Sequence, residues 1–210
     1  MKRCFVFSAG TFYGLRRRPG PEDYVIAADA GYLACLVAGV TADLLLGDFD
    51  SLKRPADFQN AIYSAPVEKD DTDTMLAVRA GLAEGCDTFY FYGATGGKRL
   101  DHTLANFQML LWLRRQGAHG YIYCDDFLWT VIENESVTIE KTLEKGIVSV
   151  FCMDGTAKGV TETGLHYSLT DAELTVDRPL AVSNYIEEDT ATVSVRDGVL
   201  LVGWELPPLK

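Results

Sequence analysis

Positive charge is what this chain has least of. Its 210 residues carry 19 lysines and arginines against 30 aspartates and glutamates, a net charge of −11. Nucleic acids and anionic membranes recruit proteins through basic surfaces, so neither is an expected partner. Long apolar runs are missing as well. None approaches membrane-spanning length, and Met1-Lys2-Arg3 leads into only a strand-length apolar run, with no signal peptide visible. Cysteine is sparse and odd in number. The five, Cys4, Cys35, Cys86, Cys124 and Cys152, show no metal-knuckle spacing, and most sit in apolar runs where Cys acts as a small hydrophobe. A reduced, cytoplasmic setting is expected over a secreted, disulfide-bonded one. Internal repeats and low-complexity segments are absent too. What is present is a chain 48% hydrophobic and 11% aromatic, enough for one large domain or two small ones with real cores.

The first part alternates strand-like and helix-like segments. Residues 4–7, 25–27, 44–46, 89–92 and 121–124 read as short buried strands, and 32–38, 72–84 and 103–115 as helices. Met75, Val78 and Leu82 mark one apolar stripe, and Leu104, Phe107 and Leu111 another. Gly85 and Gly117 stand where helices end. This alternation predicts an α/β domain over 1–128, a Rossmann-like, mostly parallel sheet with helices on both faces. After about Leu128 no helical stripe is found. Short runs at 136–143, 146–151, 174–176, 190–196 and 199–204, separated by turn signals, predict an all-β sandwich over 129–210. Asp197-Gly198 lies between two apolar runs and predicts a two-residue hairpin. Arg16-Arg17-Arg18-Pro19-Gly20-Pro21 reads as a solvated loop.

Chemistry collects where strands end. In Leu44-Leu45-Leu46-Gly47-Asp48-Phe49-Asp50-Ser51 two carboxylates follow a buried strand at alternate positions. On an extended backbone both face one spot past the strand's carboxyl end, where open α/β sheets bind ligands. Like charges so placed repel unless a cation sits between them. Oxygen-only ligands indicate Mg²⁺, which at such sites accompanies a phosphate substrate. Ala28-Asp29-Ala30-Gly31 is another acid at a strand end. In Asp70-Asp71-Thr72-Asp73, Asp71 or Thr72 can cap a helix, and Asp73 in the first turn is read as a metal ligand. Gly93-Ala94-Thr95-Gly96-Gly97-Lys98-Arg99 is a glycine-rich turn whose N–H groups suit an anion, with Lys98 and Arg99 beside it. It matches neither the Walker A spacing nor G-x-G-x-x-G. Asp101 and His102 add an acid and a proton carrier. In the β half Tyr167, Tyr185 and Trp204 can stack on a cationic heterocycle or pack in a core; for Trp204 core packing is expected.

These motifs, with Gly96-Gly97-Lys98-Arg99-Leu100-Asp101-His102-Thr103-Leu104-Ala105-Asn106, Gly164-Leu165-His166-Tyr167-Ser168-Leu169 and Val182-Ser183-Asn184, resemble the thiamine pyrophosphokinase (thiamine diphosphokinase) family in order and spacing. The resemblance implies transfer of the β,γ-pyrophosphoryl unit of ATP to the thiamine hydroxyl, releasing AMP. It implies Mg²⁺ at Asp48, Asp50 and Asp73, with Asp29 and Asp101 as further active-site acids. Ser51, Asp70, Thr72, Gly97, Arg99 and His102 fall on the ATP and phosphate side. Tyr167, Ser183 and Asn184 fall on the thiamine side, the last two donated across a homodimer by the partner subunit.

Other readings stay open on residues alone. Asp48-x-Asp50 resembles the metal-holding D-x-D of glycosyltransferases, which leaves the other acid junctions unexplained. A pyrophosphokinase for another small alcohol such as a pterin, or a thiamine or nucleotide sensor without turnover, would use similar residues. An aspartyl phosphatase is disfavoured because Asp48-Phe49-Asp50-Ser51 lacks a following Gly-Thr.

Overall fold

The structure, a computed structural model, describes residues 1–47, 58–64 and 71–209; Asp48, Asp50, Ser51 and Asp70 lie outside the described residues. Two compact units follow one another, Met1–Asp125 and Asp126–Lys210. Among the described residues no helix is long and apolar enough to cross a membrane. The five cysteines are free thiols, four of them buried.

The first unit contains β1 (Lys2–Phe7), β2 (Tyr24–Ala28), α1 (Gly31–Ala38), β3 (Leu44–Gly47), β4 (Ala61–Ser64), α2 (Asp73–Ala83), β5 (Cys86–Tyr92), α3 (Leu100–Arg115) and β6 (His119–Tyr123). Its strands lie in the order β6-β5-β1-β2-β3-β4, and each neighbouring pair is parallel. The chain steps outward from β1 to β4, then returns through α2 to place β5 on the other side of β1. That reversal makes a topological switch point between β1 and β5, where a crevice opens beyond the strand ends. Central strands are continuous apolar runs because neither face meets water: Cys4, Phe5, Val6 and Phe7 are all fully buried. Phe5, Phe7, Val25, Ala27 and Leu45 share one cluster with Ala34 and Cys35 of α1. Edge strand β4, short and mostly exposed, carries no pattern that sequence reading could use.

Both apolar stripes read from the sequence are rotated in the structure. Helix α2 buries Thr74, Ala77, Val78 and Gly81, and only Val78 belongs to the expected stripe. Small residues let the helix lie close to the sheet: a Cβ on Gly81 would come within 2.5 Å of the Phe89 ring. Helix α3 buries Asn106, Met109, Leu110 and Leu113, while Leu104 is exposed. A polar residue holds the core side of α3 because its amide is satisfied there, which an apolar stripe cannot reveal.

The arginine loop is not simply solvated. Arg16 donates to the Asp125 carbonyl at 2.8 Å, and Arg18 donates to the Ala38 and Gly39 carbonyls, neutralising the C-terminus of α1. Arg17 lies over the Tyr90 ring, and its N–H donates to the Tyr92 hydroxyl at 3.0 Å.

The second unit is all-β among the described residues. It contains β7 (Phe127–Glu133), β8 (Ser136–Glu140), β9 (Ile147–Cys152), β10 (Thr156–Thr163), β11 (Leu169–Thr175), β12 (Asn184–Tyr185), β13 (Thr190–Ser194) and β14 (Val199–Glu205). Strands β12-β9-β14-β7 pair antiparallel, as do β11-β10-β13-β8. Side chains from both groups, including Ile139, Val160 and Val193 from one and Val148, Leu200 and Val202 from the other, form a single core, a sandwich-like arrangement. Trp204 is half-buried and packs against that core.

The expected hairpin at Asp197-Gly198 does not form. Its flanking strands part: β13 pairs with β8 and β10, whereas β14 pairs with β7 and β9. The corner is instead tied to β10, where the Lys158 and Asp197 backbones exchange hydrogen bonds of 2.7 and 3.1 Å. Gly198 packs so close that a Cβ would lie 2.7 Å from Ala157 Cα. The turn dipeptide therefore marks a crossing between sheets.

Candidate functional site

A cleft of about 200 Å³ opens at the switch point of the first unit. The carboxyl end of β1 supplies Ser8, Ala9 and Gly10, and that of β2 supplies Asp29. The first turn of α2 adds Thr72, Asp73 and Thr74, and the turn leaving β5 adds Gly96, Gly97, Lys98 and Arg99. His102, Thr103 and Asn106 of α3 complete the wall.

Close backbone packing makes this convergence possible. The turns after β1 and β5 touch: Ser8 N–H donates to the Tyr92 carbonyl at 2.8 Å and Gly10 N–H to the Gly93 carbonyl at 2.7 Å. A Cβ on Gly10 would sit 2.5 Å from the Gly93 oxygen, and one on Gly31 only 2.0 Å from the Phe7 oxygen. Only glycine permits either approach. Asp29, between β2 and α1, holds a left-handed φ of 53°, a costly conformation for a side-chain-bearing residue.

Helix α2 begins on Thr72, whose hydroxyl accepts from Met75 N–H at 3.2 Å. Thr72 is thus the cap and Asp73 the first-turn acid, facing the cleft at the positive end of the helix. Thr74 shares a buried hydrogen bond of 2.9 Å with Ser8. Asp71 points elsewhere, forming a 2.8 Å ion pair with Arg79, whose guanidinium also lies over Trp112. On α3, Asn106 is buried and donates to the Ala94 carbonyl at 2.6 Å, anchoring the glycine-rich turn.

Gly96 and Gly97 have φ of 74° and 75°, in the left-handed region that favours glycine, so this tight turn depends on both. Arg99 and Asp101 form an exposed ion pair at 2.7 Å. Hydrogen bonding from the Arg99 guanidinium holds the Asp101 carboxyl down at about 2. A carboxylate so stabilised is a weak proton acceptor near neutral pH.

The structure therefore gathers Asp29, Thr72, Asp73, Gly97, Arg99 and His102 around one cleft, with Asp101 paired to Arg99 at its edge. Ser8, Gly10 and Thr74 are not among the site residues expected from the sequence, and Asn106 stands there only as the last residue of a motif, with no role of its own. All four are neutral, Ser8 and Gly10 just past the end of β1, Thr74 in the first turn of α2 and Asn106 in the second turn of α3, and a search led by acids passes over them. Among the described residues no group of three or more His, Cys, Asp or Glu is close enough to hold a metal. The charged donors facing the cleft, Asp29 and Asp73, are hard oxygens, which fits Mg²⁺ and not a thiolate-preferring ion.

Tyr167, Ser183 and Asn184 lie together in the second unit. Asn184 is 5% exposed. Its Oδ1 accepts from the N–H groups of Tyr167 and Tyr185, both at 3.0 Å, and its Nδ2 donates to the Tyr167 carbonyl at 2.8 Å. Tyr167 and Ser183 are exposed beside it, and Ser183 is held at a left-handed φ of 62° with its N–H donating to Ser149 Oγ. His166 stacks on Tyr185 with ring centroids 4.6 Å apart.

Residues 20–122 match the family model described as thiamin pyrophosphokinase, catalytic domain, and residues 135–200 the one described as thiamin pyrophosphokinase, vitamin B1 binding domain. The thiamine pyrophosphokinase of Bacillus subtilis (strain 168) is 28% identical over 182 residues, covering 84% of this chain and 85% of its own. The thiamin pyrophosphokinase structure from Geobacillus thermodenitrificans has a TM-score of 0.84 at 26% identity, covering 99% of this chain and 98% of that one. A Bacillus subtilis thiamine pyrophosphokinase structure has a TM-score of 0.87 over 99% of this chain and 100% of its own, and at 24% identity speaks for the fold. With a cleft at the switch point of its parallel sheet and two family models matched one after the other along its length, the chain belongs to the thiamine pyrophosphokinase family.

Proposed function

We propose that this chain is an ATP-dependent thiamine diphosphokinase, which transfers the pyrophosphoryl group of ATP to thiamine and yields thiamine diphosphate and AMP. The observation that carries the reading is the pair of consecutive matches, catalytic and vitamin B1 binding, over a chain whose first unit holds an acid-lined cleft beside a glycine-rich anion turn.

The reaction asks for positioning and charge neutralisation more than for covalent work by the protein. The thiamine hydroxyl oxygen attacks the β-phosphorus and gives up its proton to solvent, the bond from that phosphorus to the bridging α-oxygen breaks, and AMP leaves with the electron pair. The Gly96–Gly97 N–H groups, Lys98 and Arg99 receive phosphate oxygens, and the N-terminus of α3 adds its dipole. Asp73, with Asp48 and Asp50, would hold Mg²⁺; when bound, the ion neutralises phosphate charge. Asp29, Thr72 and His102, which border the cleft, belong to the nucleotide side, and the family resemblance assigns Ser51 and Asp70 to the same role. Asp101 serves Arg99, orienting its guanidinium, and its low proton affinity argues against a role as the base.

In the second unit Tyr167, Ser183 and Asn184 form the thiamine side. The exposed Tyr167 ring offers a π face to the cationic thiazolium. The working form is a homodimer in which the second unit of one subunit serves the cleft of the other, as the family resemblance implies. Free thiols support a cytoplasmic protein. Helices cover both faces of the parallel sheet, a reading supported by α1 packing with Phe5 and Phe7 while Gly81 of α2 meets Phe89 and Cys4. The test is to supply ATP and Mg²⁺ with a panel of alcohols that includes thiamine and a hydroxymethyl pterin. AMP formed with thiamine alone supports the reading. AMP formed with the pterin alone supports the alternative acceptor, and thiamine bound without AMP supports the sensor.

A further inference from the structure

Glu162 is the most unusual buried group in the second unit. It lies in β10, opposite Val193 of β13 and Leu169 of β11, and is only 1% exposed. Its neighbours on the inward face, Ala157 and Val160, belong to the apolar core. A carboxyl group there is costly unless its oxygens are satisfied. One oxygen, Oε2, accepts from Asn184 Nδ2 at 3.3 Å; the other, Oε1, is buried without a hydrogen-bond partner among the described residues. Burial pushes the carboxyl up to about 7. A valine or leucine in its place would suit the core better, so the packing of the sandwich does not account for this acid.

What Glu162 touches is the amide that organises the surface above it. The orientation of Asn184 is unambiguous, because two backbone N–H groups, from Tyr167 and Tyr185, require an oxygen on that side. The nitrogen side then has two acceptors, the Tyr167 carbonyl and Glu162. Asn184 therefore grips both backbone groups of Tyr167. His166 is fixed in the same turn, its N–H donating to the Tyr185 carbonyl at 3.0 Å. Without Glu162, one Asn184 proton would be left unpaired in the core, and the amide would lose one of the two acceptors that hold its nitrogen side.

We propose that Glu162 is a positioning residue for thiamine: through Asn184 it fixes the turn that presents Tyr167 beside Ser183. Glu162 itself stays beneath the surface and touches no substrate. The assignment rests on the proposed thiamine diphosphokinase reading and names a determinant of that site which the sequence motifs do not contain.

The test compares full-length wild type with Glu162→Gln, which keeps an acceptor for Asn184, and Glu162→Met, which keeps volume and removes it. Calorimetric titration of thiamine into wild type, with AMP release, first establishes that thiamine is the substrate; failure there overturns the functional reading itself. Given that, Glu162→Met should raise the thiamine KM and dissociation constant roughly tenfold or more, as loss of a buried hydrogen bond allows. The ATP KM and kcat should stay within about twofold, and Glu162→Gln should bind thiamine about as wild type does. If Glu162→Met does not fold, Glu162→Val carries the same expectation. An unchanged thiamine KM in the folded apolar variant overturns the proposal. So does equal loss in the Gln variant, or a parallel rise in the ATP KM.

Discussion

Ser8 Oγ and Thr74 Oγ1 lie 2.9 Å apart, both buried, and join the carboxyl end of β1 to the first turn of α2. This one bond sets where Asp73, the preceding residue, stands relative to the β1 turn. Thr74→Val, nearly isosteric, strands the Ser8 hydroxyl and should cost about 1–3 kcal/mol of stability. The double variant Ser8→Ala, Thr74→Val should recover much of that loss, because neither buried partner then remains. Urea unfolding of the three variants checks it; strictly additive losses would show that the two hydroxyls do not depend on each other.

Asp73 faces the cleft from the positive end of α2. Asp73→Asn keeps the shape and removes the charge. Turnover should fall roughly a hundredfold or more, as when charge stabilisation of a transition state is lost. Stability should change by less than about 1 kcal/mol, the usual worth of a first-turn acid. Steady-state kinetics beside thermal unfolding separates the two; near-normal turnover would remove Asp73 from the site.

Arg99 and Asp101 make a prediction about pH. Asp101 stays ionised down to about 2, so its proton should leave no inflection in kcat/KM for ATP near neutrality. Arg99→Ala should raise the ATP KM roughly tenfold, the scale of a lost charge-assisted contact. It should also return Asp101 toward the ordinary carboxylate range. A pH–rate profile of both proteins tests this, and an inflection near neutrality that Asp101→Asn abolishes would reverse the assignment.

Glu162 makes another, with the opposite sign from most acids. Its carboxyl sits at about 7 in the fold against 4.5 for the reference group. The folded state thus keeps this proton at a pH where the unfolded chain has released it. Stability is unaffected below about 4.5, falls as pH rises, and carries the full penalty above about 7, on the order of 3 kcal/mol at most. Glu162→Gln should flatten that slope. Urea midpoints at pH 5 and pH 8 measure it, and equal slopes in the two proteins would contradict it.

Much of this was legible in the sequence because its signals were local. Continuous apolar runs marked the buried strands, and Asp29, Asp73 and the glycine-rich turn all ended strands or began helices at the switch point. The helix faces were misread where small or polar residues took the core side, as Gly81 and Asn106 do. A residue that packs by being small, or by having its amide satisfied, carries no hydrophobic signature. The hairpin at Asp197-Gly198 failed for a related reason: a turn dipeptide specifies local geometry, while partner choice for β13 and β14 depends on distant β8 and β7. Glu162 was invisible because nothing in Val160-Thr161-Glu162-Thr163 distinguishes an inward-facing acid from a solvated one. The register of β10, with its irregularities between Lys158 and Val160 and between Val160 and Glu162, decides that.

The central claim is pyrophosphoryl transfer in one step from ATP to thiamine. ATP labelled at the β-phosphate tests it most directly. Incubated with the protein, Mg²⁺ and thiamine, it should place the label in thiamine diphosphate, with unlabelled AMP formed in equal amount. Label retained in ADP, alongside thiamine monophosphate, would contradict the account.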